Sequence, residues 1–564
     1  MKNKMSILIG GEAGQGVESS GAGFAKAIAR SGLHIFALQD YMSRIRGGHN
    51  FFKVRISEEP LYSHADELHL IVALNLDTIE IHYKDVSKGG GIIYDETLKV
   101  DKELIESSGV KLFPVPLTKI AKEFGNSIMA NTAALGAVAG LVRFDLKFIN
   151  GVVSENFIKK GDELVNANLN VAKKAYKYAK ENYADYFDYI LATVDAPDRM
   201  VINGNEAIGL GALLGGVKFI SAYPMTPATS LFEWLTSQGK EYGIVSKHTE
   251  DEIAAITMAI GASHAGVRAM TSTSGGGFSL MVEALGMAGI TETPIVIAEV
   301  QRAGPSTGMP TRTEQADLLF LMNASHGEFP RIILAPGTVE EAFEAGWRAF
   351  NLAEKYQCPV LIMSDTYLAN SLRSIESTDL KFDEIEIDRG KLMTSEELDD
   401  LEGRYLRYKI TPDGISPRAI PGHPNGVFMA SSDEHTEDGH FEDEDPANRI
   451  KMVEKRAQKM IEAQKDINEP SYFGEDSPEI LLVGWGSSYG PIRETVERIN
   501  SNGKKAAFVH FSDILPFTNG DVKSLLKEGK KVICVENNST GQFAQVLRAY
   551  AGVDVDEQIL RYDG

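Results

Sequence analysis

Residues 268–301 read RAMTSTSGGGFSLMVEALGMAGITETPIVIAEVQ. The stretch opens on a short run with strand character, turns through Gly275, Gly276 and Gly277, continues as a helix of small and apolar residues, and ends on TPIVIAEVQ. A strand that is apolar on both alternating faces is buried between layers, and strand, helix, strand in that order is the repeating unit of a parallel sheet. The same rhythm recurs on either side, with KFISAYPMTP and GIVSKHTED before it and RIILAPG and PVLIMSD after it. The expected fold class is therefore α/β, with glycines where a ligand or another subunit must come close.

Working outward, the chain of 564 residues is long enough for several domains. Residues 1–185 begin with a strand at 6–9, the glycine turn GGEAGQG at 10–16 and a helix at 17–30, the opening of a doubly wound sheet. Residues 186–375 hold the parallel strands just described. Residues 376–470 lose that rhythm in charged and turn-forming sequence, including an acidic cluster at 433–445, and read as an insertion or connecting arm. Residues 471–564 resume with EILLVGWGSS, KAAFVHF and KVICVEN as a third, smaller α/β domain.

The charge balance excludes some functions. With 57 Lys and Arg against 79 Asp and Glu, the net charge of −22 repels phosphate backbones and acidic membranes. Only Cys358 and Cys534 are present, both in apolar runs, too few to ligate an iron–sulfur cluster with four thiolates or to frame a disulfide scaffold. No apolar run approaches the ~18 residues of a membrane span. The expected location is the cytoplasm.

Four blocks carry chemistry. Tyr223, Pro224, Met225, Thr226 and Pro227 leave a strand at its carboxyl end, where parallel sheets bind ligands, and a helix follows them. The turn suits the grip of a carboxylate or simply exits the strand with Thr226 as helix cap. Glu250, Asp251 and Glu252 start a second helix; acids there ordinarily stabilise the helix dipole, but Glu252 adjoins an apolar run and is a candidate functional acid if it points inward. Ser274, Gly275 and Gly276 open the helix of the first stretch. A long polar loop, with Pro305, Ser306, Thr307 and Gly308, ends near Arg312, whose guanidinium can hold a carboxylate in two bonds.

Together, YPMTP, EDEIAA, TSTSGGGFSL and QRAGPSTGMPTRTEQADL resemble the α subunit of the 2-oxoacid:ferredoxin oxidoreductases with the family's γ domain fused in front. DGISPRAIPG, the acidic cluster and ENNSTGQFAQVLR are most similar to the 2-oxoglutarate branch, although the pyruvate and branched-chain oxoacid branches share parts of them. The resemblance implies a pyrimidine-binding domain of a thiamine-diphosphate enzyme at 186–375 and a transketolase C-terminal-like domain at 471–564. It implies CoA-dependent oxidative decarboxylation of a 2-oxoacid with reduction of ferredoxin. The cofactor is thiamine diphosphate, shared with a β subunit that carries the magnesium ion and a [4Fe-4S] cluster, and the assembly is a dimer of αβ pairs.

By the same resemblance Glu252 faces the pyrimidine ring nitrogen, with Pro224, Met225, Ser274, Gly275 and Gly276 lining the cofactor. Thr226 and Arg312 grip the oxoacid carboxylate, while Tyr223, Pro305, Ser306, Thr307 and Gly308 shape the pocket. Arg44, Arg46, Gly47 and Gly48 match a block at the coenzyme A entrance, and Asn538 and Thr540 are further candidates for coenzyme A. Two readings compete: a nicotinamide-dependent dehydrogenase built on GGEAGQGVESSG with Asp40 as the ribose acid, and a scaffold subunit without chemistry of its own. The acids around His435 and His440 are expected to form a solvated lid and not a metal site.

Overall fold

A computed structural model of the protein describes residues 2–42, 48–518 and 520–564. The chain forms two compact units, Met1–Asn203 with Asn370–Asp379, and Gly204–Ala369 with Leu380–Gly564. The division differs from the sequence expectation at both edges of 186–375: residues 186–203 and 370–379 lie in the first unit. The reason is strand pairing. Leu372–Glu376 lies antiparallel to both His34–Asp40 and Arg199–Ile202, so backbone hydrogen bonds carry these segments into the first sheet.

That first sheet has eight strands, in the order Lys111–Val115, Val86–Asp95, Leu68–Ala73, Met5–Glu12, His49–Ser57, His34–Asp40, Leu372–Glu376 and Arg199–Ile202. The opening strand is longer than expected and takes in Gly10 and Gly11, and the helix Val17–Arg30 follows as expected. The sheet is mixed, not doubly wound. His49–Ser57 runs antiparallel to both of its neighbours and separates Met5–Glu12 from His34–Asp40. Asp40 therefore does not end a strand paired parallel with the glycine-turn strand, as dinucleotide binding requires, and the dehydrogenase reading fails on topology. Arg44, Arg46 and Gly47 lie outside the described residues, while Gly48, just before the third strand, has φ +81°.

The second unit is built on a seven-stranded sheet in the order Asp513–Leu515, Ile332–Leu334, Pro359–Asp365, Ile295–Gln301, Ala269–Thr273, Phe219–Ala222 and Val245–His248. Every neighbouring pair is parallel except the first. A five-stranded sheet, Ser471–Gly474, Ala506–Phe511, Ile480–Trp485, Val532–Glu536 and Glu557–Leu560, completes the unit. The two sheets pack on each other. One apolar core runs from Ile256, Phe278, Ile297 and Leu361 to Trp485, Val509, Cys534 and Phe543, and the strand Asp513–Leu515 extends the seven-stranded sheet from within the last hundred residues.

The arm between them is fastened by buried charge. Glu292 is fully enclosed and accepts from Lys455, at 2.5 Å, and from Lys459, both on the helix Pro446–Ala463. Glu354 receives Arg268, Arg389 and Arg418; burial works against its ionisation, but the three guanidiniums hold its carboxyl below the usual range. The acidic cluster is exposed at Asp433, His440, Asp443, Glu444 and Asp445, as expected, but two of its members are tied down. His435 is buried against the Tyr408 ring at 4.0 Å, and Glu434 pairs with Arg456 at 2.8 Å. Removing one partner of a buried ion group strands the others. Glu292→Ala is expected to destabilise the protein by about 3–5 kcal/mol, measured as a lower denaturant midpoint for the transition that reports on Trp485.

Candidate functional site

The four sequence blocks follow the carboxyl ends of four adjacent strands in the second unit, Ile295–Gln301, Ala269–Thr273, Phe219–Ala222 and Val245–His248. The strand Phe219–Ala222 delivers the Tyr223–Pro227 turn, with Tyr223 and Pro224 exposed and Met225 and Thr226 partly covered. Thr226 does not cap the following helix, Thr229–Tyr242, whose first flanking residue is Ala228. The turn is held from outside. Arg302 Nη1 donates to the Thr226 carbonyl at 2.6 Å, and Asn205 Nδ2 donates to the Pro227 carbonyl at 2.9 Å. Met225 Sδ lies 3.9 Å from Thr273 Oγ1, which brings the turn to the end of the Ala269–Thr273 strand.

Asp251 caps the helix Glu252–His264, accepting from the Ala254 amide at 2.7 Å, and so fixes the direction in which Glu252 leaves it. Glu252 is 4% exposed, and its Oε1 is buried without a hydrogen-bond partner. A carboxylate in that position is costly unless something outside the chain satisfies it. It reaches the first turn of the Gly275–Ile290 helix, where Gly275 and Gly277 have no room for a side chain. A Cβ on Gly277 would collide with Thr273 Oγ1 and stand 2.7 Å from Glu252 Oε1, and one on Gly275 would stand 2.9 Å from Asp317 Cγ. Ser274, before that helix, is fully buried with its hydroxyl also unpartnered. Gly276 is exposed, and a Cβ there would meet only the Ser306 carbonyl, at 3.6 Å.

The long loop is closed on itself. Ala303 N donates to the Arg312 carbonyl at 3.1 Å, Met309 N to the Ala303 carbonyl at 2.8 Å, and Arg312 N to the Met309 carbonyl at 3.0 Å. Pro305, Ser306, Thr307 and Gly308 are exposed at its tip, and Gly308, with φ +54°, closes it against the Ala303 carbonyl. Beyond Arg312 the chain is clamped by the turn after Val532–Glu536. Gln315 N donates to the Asn537 carbonyl at 2.6 Å and Asn538 Nδ2 to the Gln315 carbonyl at 3.1 Å. Asn538 is fully buried and its Oδ1 accepts from Gly541 N at 2.8 Å, so its amide is spent inside the protein, whereas Thr540 is exposed.

Three comparisons bear on this arrangement. The family model described as "Pyruvate flavodoxin/ferredoxin oxidoreductase, thiamine diP-bdg" matches residues 210–455, and "Pyruvate ferredoxin/flavodoxin oxidoreductase" matches 6–178. The 2-oxoacid:ferredoxin oxidoreductase subunit alpha of Sulfolobus sp is 34% identical across 100% of this chain and 94% of its own. The chain belongs to the 2-oxoacid:ferredoxin oxidoreductase family, as an alpha subunit. Within the family it is also similar to the 2-oxoglutarate oxidoreductase subunit KorA of Mycobacterium tuberculosis, 29% identical over 97% of this chain and 87% of the other. A solved 2-oxoglutarate:ferredoxin oxidoreductase from Magnetococcus marinus, with 2-oxoglutarate, coenzyme A and succinyl-CoA bound, superposes with a TM-score of 0.91 at 34% identity, covering 100% of this chain and 96% of that one.

The structure of this alpha subunit adds residues that the motifs did not single out: Arg302 behind Thr226, Glu299 and Asp317 behind Gly275, and Gln315 under the Asn537–Asn538 turn. Glu299 had a signal, as the one acid in a largely apolar strand; Gln315 had none, because its partners, Trp485 and the Asn537–Asn538 turn, lie 170 to 223 residues away. Gly277→Ala tests the fit at Glu252. Overpacking of this kind costs about 1–3 kcal/mol, so the variant is expected to fold with a lowered midpoint and to lose thiamine diphosphate binding, read by calorimetric titration of the assembled enzyme.

Proposed function

We propose that this alpha subunit supplies the pyrimidine-binding and oxoacid-gripping half of a CoA-dependent 2-oxoglutarate:ferredoxin oxidoreductase, which converts 2-oxoglutarate and coenzyme A to succinyl-CoA and carbon dioxide. The observation that carries the reading is Glu252: a buried carboxyl whose Oε1 has no partner among the described residues, facing the small-residue start of the Gly275–Ile290 helix. That orphaned oxygen and the unpartnered Ser274 hydroxyl fit the aminopyrimidine of thiamine diphosphate. Bound there, the cofactor supplies the nucleophilic carbon and the electron sink for decarboxylation. Glu252 holds a proton on the pyrimidine ring nitrogen, a task suited to a carboxyl in a dry site.

Thr226 and Arg312 take the oxoacid carboxylate, so that the keto carbon is held in a fixed direction; this is catalysis by positioning. Tyr223 and the exposed tip at 305–308 close the pocket wall. The names of the Mycobacterium and Magnetococcus relatives support 2-oxoglutarate as the substrate. A β subunit completes the site. Ile253, Met258 and Leu280, on the helices that flank Gly276, are 51%, 42% and 50% exposed, an apolar face that suits a partner chain. With both cysteines of this chain buried and unpaired, the iron–sulfur cluster and the magnesium ion belong to that partner, in an (αβ)2 assembly in the cytoplasm. Gly48 and Thr540 remain the described candidates for coenzyme A, and Asn538 acts on the loop through Gln315.

The test is co-expression with the neighbouring cysteine-bearing β subunit and assay of CoA-dependent viologen reduction with 2-oxoglutarate, pyruvate and 2-oxoisovalerate. Turnover is expected with 2-oxoglutarate foremost; a cofactor-loaded complex that turns over none of the three would sink the proposal. Glu252→Gln is expected to reduce turnover by at least about a hundredfold, the size of a general acid–base contribution, with assembly intact. Arg312→Ala is expected to raise KM for the oxoacid about tenfold or more, the loss of a charge-assisted pair, while thiamine diphosphate still binds.

A further inference from the structure

Behind the gripping residues lies a cluster of acids that this reaction scheme does not use. Glu299 sits in the middle of the sheet, in Ile295–Gln301, with Thr273 and Met363 as its strand neighbours. It is fully buried, and neither carboxyl oxygen receives a hydrogen bond from any donor among the described residues. Within hydrogen-bonding reach of it is another carboxyl, Asp317, at the start of the short helix Leu318–Met322. Asp317 is itself built into the site. Its amide donates to Gln301 Oε1 at 3.1 Å, its carboxyl packs on Gly275, and the charge of Arg302 acts on it.

Two carboxylates side by side in a dry interior cannot both be ionised, and a carboxyl with no donor is satisfied only if a proton lies between the two. We propose that Glu299 and Asp317 share one proton and act as a single monoanionic pair that positions the oxoacid grip: the charge of the pair orients Arg302, Arg302 holds the Thr226 carbonyl, and Asp317 braces the Gly275 end of the neighbouring helix. The inference rests on the function proposed above. Both residues are positioning residues, since neither reaches the substrate or the cofactor.

The surroundings set the direction of titration. Facing the pair are Asp365 from Pro359–Asp365, Glu314 and Arg302 from the loop, and, across Gly277 and Thr273, Glu252. Burial first, then Asp317 and Asp365, push the Glu299 carboxyl well above the usual range. Burial pushes Asp317 up to about 6, with Arg302 drawing it back. In the neutral range Glu299 thus carries the proton and Asp317 the charge. Below about pH 6 Asp317 also protonates, the pair becomes neutral, and Arg302 loses its counter-charge. KM for the oxoacid is therefore expected to rise as pH falls through this range, with kcat changed less.

The experiment uses the assembled, cofactor-loaded enzyme. Glu299→Gln keeps a donor toward Asp317 and is expected to stay within about threefold of the parent KM at neutral pH, whereas Glu299→Ala, which leaves Asp317 without its proton donor, raises KM about tenfold. Asp317→Asn removes the charge and is expected to raise KM about tenfold, retain thiamine diphosphate binding, and abolish the acid limb of the KM profile. Infrared difference spectra of parent against Glu299→Gln, read at neutral pH, report the shared proton without reference to activity: a protonated-carboxyl stretch is expected in the parent alone. Absence of that band overturns proton sharing. An acid limb that persists in Asp317→Asn, or a Glu299→Gln enzyme as impaired as Glu299→Ala, overturns the positioning role. A parent complex that turns over no oxoacid sinks the oxoacid reading and the positioning role with it, while the band still decides the pair.

Discussion

One donated bond organises the site: Arg302 Nη1 to the Thr226 carbonyl, at 2.6 Å. It joins the turn that leaves the Phe219–Ala222 strand to the loop that leaves Ile295–Gln301, two segments separated by 76 residues. Without it, the hydroxyl of Thr226 and the guanidinium of Arg312 would be set by two independently mobile surface segments. The grip proposed for these two side chains needs both at fixed separation, because binding that does not also orient the keto carbon does nothing for the rate. The loop in turn depends on Gln315 and the Asn537–Asn538 turn, which is why the five-stranded sheet and the seven-stranded sheet must share a core.

Much of this was legible in the residues. The parallel strands of the second unit announced themselves because burial on both faces leaves continuous apolar runs, and the helix Val17–Arg30 because a glycine turn precedes a run of small residues. The direction of His49–Ser57 was not legible. An apolar alternation fixes which face of a strand is buried but not which neighbour it pairs with or in which sense, and that choice decided between a doubly wound sheet and the mixed sheet observed. The extent of the last domain was hidden for a similar reason: Asp513–Leu515 is three residues long and joins the edge of a sheet assembled far upstream.

The acidic cluster shows a different limit. On sequence, DEHTEDGHFEDED is a solvated loop, since charged residues without a partner stay in water. Glu434 has partners, Arg449 and Arg456, on a helix that follows the cluster, and His435 has the Tyr408 ring behind it. Composition counts the charges but not their pairing, and pairing is what decides burial. The same holds for Glu292, an unremarked acid after a long helix, which proves to be the fully enclosed centre of the contact between that helix and Pro446–Ala463.

Buried acids in the second unit thus fall into two kinds, distinguished by what surrounds them. Glu292 and Glu354 are ringed by cations, which satisfy them within the chain and leave nothing to offer a ligand; such groups hold the fold. Glu252, Glu299 and Asp317 lie at the carboxyl ends of the sheet without a lysine or arginine bonded to them among the described residues, and two of the three have orphaned oxygens. Desolvation that no bonded cation offsets favours the protonated form, so Glu299 and Asp317 are able to hold and share a proton near neutrality. Replacing them with apolar groups would relieve the strain of burial, and their presence beside the glycines that keep Cβ atoms out of the way fits the proton-holding role proposed above.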